Sequence, residues 1–179
     1  MPFLVPLEAK PSPFGGNGLF AKADIAAGTK IWVMKPKGDD VAKVVPLEQN
    51  VPEGEKQELT ENDVWTEEKM TGLPADQIER IFWGGYAHEP SATWIELRDG
   101  GNYTNHSSEK WNCMSEFTDS PWDEEHFCVK GAKAGDEILD DYGGFHNAKV
   151  PWINALMEKA CPGRHDFERD FATPNKPTM

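Results

Sequence analysis

Three short stretches of this chain carry residue types that can do chemistry. Asn102-Tyr103-Thr104-Asn105-His106-Ser107-Ser108, continuing to Asn112-Cys113, is the densest polar stretch between strand-like segments. Asparagine offers donors and acceptors together, so Asn105 and Asn112 can hold a zwitterionic ligand while His106 fixes the loop through its ring. The same composition suits a turn whose Asn and Ser side chains bond their own backbone, and both readings stay open on this stretch alone. Gly15-Gly16-Asn17-Gly18 lets backbone approach a ligand closely or simply makes a tight hairpin. It lacks the Lys-Ser/Thr of a phosphate loop and does not lead from strand into helix. Asp136-Glu137-Ile138-Leu139-Asp140-Asp141-Tyr142 places four acids before one tyrosine. It reads either as a solvated acidic turn or as a short strand presenting the Tyr142 hydroxyl to a pocket near Asn105.

Other chemistry is disfavoured. His106-Ser107 are adjacent, which does not make a nucleophile–base pair, and no GxSxG elbow exists. His88-Glu89 would need a histidine at position 92 for a zinc-binding HExxH, and Ala92 stands there. Cys113, Cys128 and Cys161 are odd in number and share no CxxC spacing, so neither a disulfide framework nor a metal site is expected. Reduced thiols suggest an intracellular protein, nuclear or cytoplasmic. The N-terminal Met1-Pro2-Phe3-Leu4-Val5 has no basic flank or long apolar run, so no signal peptide is expected and the formal sequons at Asn102 and Asn105 carry no weight.

The elements that must position these residues follow from patterning. Phe3 to Glu8 is expected to be a first strand, closed by Pro11, Pro13 and Gly15-Gly16. Strands around Leu19–Ala21 and over Thr29–Met34 are joined by a turn at Ala27-Gly28. From Lys35 to about Glu61 the chain is polar and acidic, the composition of a surface insertion. Thr60 with Asp63 is a cap predicting a helix over Glu61–Met70. Pro74 predicts another over Ala75–Trp83, with Ile78, Ile81 and Phe82 as its apolar stripe and Gly84-Gly85 as its end. Strands are expected over Ala92–Leu97, Cys113–Thr118, Glu125–Lys130 and Glu137–Leu139, a loop over Arg98–Ser108, and a helix from Pro151 to about Lys159.

With 18 Lys and Arg against 31 Asp and Glu, the 179-residue chain carries a formal charge of −13. A direct nucleic-acid ligand is therefore not expected, since holding a phosphate backbone takes a basic face. Basic proteins or peptides would be drawn in at long range. No apolar run approaches the roughly 20 residues that span a bilayer, and no membrane partner is expected. Frequent Pro and Gly (14 and 16) favour short strands over a helical bundle.

Taken in order, the three stretches resemble the SET domain of protein lysine methyltransferases. Gly16-Asn17-Gly18-Leu19-Phe20-Ala21 with Asp24-Ile25 and Gly28 is similar to that family's opening GxGLFA pattern. Asn105-His106-Ser107 with Asn112-Cys113 is similar to its NHS..PNC signature, and Ala134-Gly135-Asp136-Glu137-Ile138-Leu139 with Asp141-Tyr142-Gly143 to its closing GEEL..DYG. The likeness runs from about residue 3 to 145.

The resemblance implies a mainly β fold with a few helices, built of small sheets with a pseudoknot-like C-terminal threading. A SET domain would occupy residues 1–150 with an acidic and helical insertion at about 36–90. Residues 151–179 would complete the cofactor or substrate site. The resemblance further implies S-adenosylmethionine as cofactor, held by Asn17, Gly18, Leu19, Tyr103, Asn105 and His106, with Tyr142 catalytic and also touching the cofactor. A lysine-containing basic peptide, a histone tail among the candidates, would enter from the opposite face. The other class implied is a catalytically silent SET-fold module that binds a peptide or partner.

This chain departs from the pattern in places. Trp111 stands where the family has Pro before the second Asn, and the loop carries one extra residue. Asp140 stands where the family often has the Phe or Tyr that governs methyl number. No cysteine-rich module follows, so Trp152, Phe145, Phe167 and Phe171 are the candidates to cover an adenine ring.

Overall fold

Leu7 and Ala9 are buried while Glu8 and Lys10 between them are half-buried, the period-two alternation of a strand with one face on the core. A computed structural model describes residues 3–49, 60–98, 100–116, 118–142 and 150–160. Strand β1 spans Leu7–Pro11, so the expectation of a strand over Phe3–Glu8 is corrected. Alternation begins only after Pro6, which has no amide for a ladder, and Phe3 instead makes isolated bridges to Trp32 and Val45. The turn that follows puts Gly15 and Gly16 at φ 106° and 61°, where a Cβ would be strained, and returns the chain into β2, Asn17–Ala21. Strand β3 is Thr29–Val33.

The acidic stretch after β3 contains a short 3-10 helix, Gly38–Lys43, with no buried residue, and the two-residue β4, Glu48–Gln49. The helix expected over Glu61–Met70 is broken. Thr60 and Asp63 do form a reciprocal cap, but on a single 3-10 turn, Glu61–Asp63. Val64–Trp65 then form β5, and only Glu67–Met70 is helical, α1, capped by Thr66. Tertiary pairing overrides the local cap here: Val64 and Trp65 pair with Ile95 and Trp94, and Trp65 Nε1 donates to Glu96 Oε2 at 2.9 Å.

Helix α2, Ala75–Trp83, buries Ile78, Ile81 and Phe82 as its stripe predicts. A strand not anticipated, β6 (Gly85–His88), follows and pairs with β7, Thr93–Glu96. The stretch expected to be loop holds a 3-10 turn, Gly101–Tyr103, and a two-residue strand, β8, Asn105–His106. Strands β9 (Met114–Glu116), β10 (Glu125–Cys128) and β11 (Glu137–Asp140) and helix α3 (Pro151–Ala160) complete the described chain.

Among the described residues three small sheets result. One has the order β4-β1-β2-β11-β8, the second β3-β10-β9, and the third β5-β7-β6. The mainly β architecture expected from the sequence is what the chain adopts. Strand β11 lies between β2, antiparallel, and β8, parallel. The loop after β8 crosses it: backbone amides of Ser107, Asn112 and Cys113 donate to the carbonyls of Asp140 and Leu139 at 2.9 to 3.0 Å. The chain beyond Tyr142, residues 143–149, lies outside the described residues.

Among the described residues two hydrophobic clusters hold this frame. The larger joins Leu7, Leu19, Ile31, Trp32, Tyr86, Tyr103 and Ile138 between the sheets. The smaller joins Met70, Ile78, Ile81, Phe82 and Trp94 to Val150, Ile153 and Met157, so α3 packs on α2. Among the described residues no helix is long and apolar enough to cross a membrane.

Candidate active site

Parallel pairing of β8 with β11 sets Leu139 opposite Asn105 and Asp140 opposite His106. Tyr142, two residues past that register, is thereby delivered beside the Asn-His pair. His106 Nδ1 accepts the Tyr142 amide hydrogen at 2.9 Å, and the two rings lie 5.2 Å apart, tilted 35°. Burial holds His106 below its ordinary pKa against the opposing pull of Asp141, whose Oδ1 is 3.9 Å from Nδ1. The neutral ring with Nδ1 as acceptor carries its proton on Nε2.

The Tyr142 hydroxyl donates to the Thr104 carbonyl. Burial first, then the charges of Asp140 and Cys113, push this phenol well above its usual pKa, so it stays neutral across the physiological range. The acidic stretch before it is not a solvated turn throughout. Asp140 and Asp141 are both 2 % exposed, and Asp136 alone caps the turn outside, accepting Lys133 N at 2.8 Å.

Asn17, Gly18 and Asn105 meet on one side of this junction. Asn105 Nδ2 donates to the Asn17 carbonyl at 3.1 Å and to Glu137 Oε1 at 2.7 Å. Gly18 leaves room for two side chains: a Cβ there would stand 2.1 Å from Glu137 Oε1 and 3.1 Å from Asn105 Nδ2, so the Glu137 carboxylate would have to swing aside. The second carboxylate oxygen, Glu137 Oε2, is buried and meets no hydrogen-bond partner among the described residues. Sequence reasoning passed over Glu137, although its place beside Ile138 in a strand running to Tyr142 was the available signal. Leu19 is 1 % exposed and paired with both Ala9 and Ile138, so only its backbone borders this cradle. Tyr103 places its ring in the main core. Asn112 turns its amide towards β11. Its Nδ2 donates to Glu137 O at 2.8 Å and its Oδ1 accepts Leu139 N at 3.0 Å, clamping the backbone of β11.

Behind Tyr142 opens a cavity walled by Trp32, Phe82, Trp83, Tyr86, Trp94 and Leu97, with Thr104, Ser115, Glu124, His126, Asp140 and Tyr142 as polar lining. Most of the aromatic wall comes from α2, β6 and β7. Trp83, 66 % exposed, stands at its mouth. Glu124 is 1 % exposed, and burial raises its pKa to about 8 despite the hydrogen bond that it accepts from Tyr86 OH. Burial lowers His126 to about 4. These two groups are therefore uncharged near neutral pH.

Of the adenine-covering candidates, Trp152 packs against the cluster shared by α2 and α3, donating from Nε1 to Ala92 O at 2.9 Å. Phe145, Phe167 and Phe171 lie outside the described residues. Trp111 packs under the Lys130 ammonium, 3.3 Å from nitrogen to ring centre.

No curated protein matches the chain. The family model of the SET domain matches residues 16–143, from the glycine turn before β2 to the glycine after Tyr142. That match spans most of the 179 residues and takes in the cradle, the β8–β11 junction and the aromatic cavity alike; the chain belongs to the SET-domain family.

Proposed function

We propose that the protein is an S-adenosylmethionine-dependent protein lysine N-methyltransferase acting on a basic peptide segment, with histone tails as one candidate class. Lysine methyl transfer is the general activity of the family. The observation that carries the reading to this chain is the position of the Tyr142 hydroxyl. It is tethered to Thr104 at the seam between the Asn105 cradle and the aromatic cavity.

The cradle fits the cofactor. A buried carboxylate oxygen without a donor, Glu137 Oε2, beside the Asn105 amide and the bare backbone of Gly18, suits the ammonium and carboxylate of an amino-acid moiety. When bound, the cofactor supplies an electrophilic sulfonium methyl group. Asn17, Gly18 and Asn105 would hold it, with the Leu19 backbone alongside and His106 keeping the Tyr142 backbone in place.

On the other side, the cavity acts on the lysine. The free amine has a pKa of about 10.4 and must be neutral to attack. Removal from water beside an uncharged Glu124 disfavours the ammonium form, while the Asp140 carboxylate on the same lining limits that fall. The Tyr142 proton is engaged by Thr104, so the phenol works by orienting the amine through its oxygen rather than by taking a proton. Alignment of this kind supplies much of the acceleration of an in-line displacement.

Asp140 favours a second reading, a silent SET-fold module that binds a peptide. It puts a buried carboxylate where the family pattern often has an aromatic ring. Calorimetry with S-adenosylmethionine, followed by methyl incorporation into a lysine peptide library, separates the two. Cofactor binding with transfer supports the enzyme. Binding without transfer to any peptide supports the module, and no cofactor binding overturns the enzyme reading.

A further inference from the structure

We propose that Cys113, His126 and Asp140 form a binding site for one divalent transition-metal ion of the zinc class, at the floor of the aromatic cavity. The three residues arrive on separate segments. Cys113 precedes β9 and bridges in parallel to Asp140 at the end of β11, while His126 comes from β10. All three are buried, at 0 %, 8 % and 2 % exposure, and their ligand atoms lie within 4.8 Å of one another. His126 Nε2 stands 3.5 Å from Asp140 Oδ2. Ligand atoms around a tetrahedral ion with bonds of roughly 2.0–2.3 Å stand about 3.3–3.7 Å apart, so shifts of about 1 Å gather the set.

A second observation points the same way. His126 Nε2 is buried, aimed into this cluster, and makes no hydrogen bond among the described residues. A buried nitrogen left so costs about 1–3 kcal/mol, and coordination would satisfy it. Its Nδ1 faces Ser115 Oγ at 3.4 Å, the outer contact that orients a metal-bound imidazole. Thiolate, imidazole and carboxylate together suit zinc or cobalt and not magnesium or calcium.

Charge also balances. The Cys113 thiol now donates to Leu139 O at 3.1 Å. Binding exchanges that proton, released to solvent, for a sulfur–metal bond. A thiolate, a carboxylate and a neutral imidazole then cancel the double charge of the ion within a buried space. Three protein ligands leave a fourth position, and His126 and Asp140 both line the cavity, so that position opens towards it. None of this rests on methyl transfer.

Cobalt(II) titrated into the purified full-length chain under reducing conditions tests the site, read by absorbance and by metal content after desalting. One cobalt per chain is expected, with a thiolate-to-cobalt charge-transfer band that zinc abolishes by displacement. Cys113→Ser should remove the band, and Cys128→Ser, which alters the other buried free cysteine among the described residues, should keep it. Asp140→Asn, near-isosteric and so the variant to use should Cys113→Ser fail to fold, should weaken binding by about tenfold or more. Failure of the wild-type chain to retain cobalt overturns the proposal. So does binding without the band, or binding unchanged in the folded variants.

Discussion

His106 and Tyr142 are joined twice, by the 2.9 Å bond from the Tyr142 amide to the imidazole Nδ1 and by ring contact at 5.2 Å. Positions far apart in sequence thereby become one unit, with the phenol pointed back at Thr104. The chain's candidate chemistry sits at this seam, with the Asn105 cradle on one side and the aromatic cavity on the other.

Asn105→Ala removes the donor that bridges Asn17 and Glu137. Cofactor affinity should fall by about tenfold or more, with a stability loss of about 1–2 kcal/mol from the unpaired Glu137 carboxylate. Calorimetry and thermal unfolding check both. Glu137→Gln should lower cofactor affinity as well; unchanged affinity in both variants would remove the cradle from the binding site.

Gly85→Ala should destabilise the sheet that pairs β6 with β7. The added Cβ would stand 2.1 Å from Ile95 O and 2.5 Å from Trp94 Nε1, so β6 and β7 must separate. Overpacking of this kind costs about 1–3 kcal/mol, read as a lower urea midpoint. Gly84→Ala, whose nearest contact is 3.4 Å, is the control and should cost about 1 kcal/mol or less. Equal midpoints for the two variants would contradict the close approach at Gly85.

Glu124 makes stability fall with rising pH. Its folded pKa, about 8, lies above its ordinary 4.5, so the folded chain holds the proton more tightly than the unfolded one. The stabilisation is complete below about 4.5 and is lost as pH rises through about 8. Glu124→Gln, neutral at every pH, lacks this slope. In metal-free buffer the variant should gain on wild type between pH 5 and 9, by up to roughly 4 kcal/mol. Parallel melting-temperature curves over that range would refute a neutral buried Glu124.

Trp83 is 66 % exposed at the cavity mouth. Trp83→Ala should raise KM for a basic peptide several-fold with kcat nearly unchanged, and raising salt should lower kcat/KM because the chain carries −13. A salt-independent kcat/KM would dismiss electrostatic steering.

Much of this arrangement was legible in the residues themselves. Asn17-Gly18, Asn105-His106 and Tyr142 stand out as clusters of unusual types, and the stripe of α2 follows from Ile78, Ile81 and Phe82. Other features depend on what the chain meets after folding. Val64 and Trp65 leave the helix announced by Thr60 because Ile95 and Trp94 offer a strand to pair with. Gly85 ends a helix in sequence terms, yet it begins a strand whose neighbours exclude a Cβ. Cys113, His126 and Asp140 have no short spacing between them, and only the packing of β10 against β9 and of β11 beneath the loop brings them together.

Tyr142→Phe tests the central claim most directly, with single-turnover methyl transfer to a lysine peptide and cofactor affinity measured side by side. Loss of the hydroxyl that Thr104 holds should cut the transfer rate about a hundredfold or more while cofactor affinity changes less than about threefold. A transfer rate equal to wild type, or equal losses in rate and affinity, would contradict the role assigned to Tyr142.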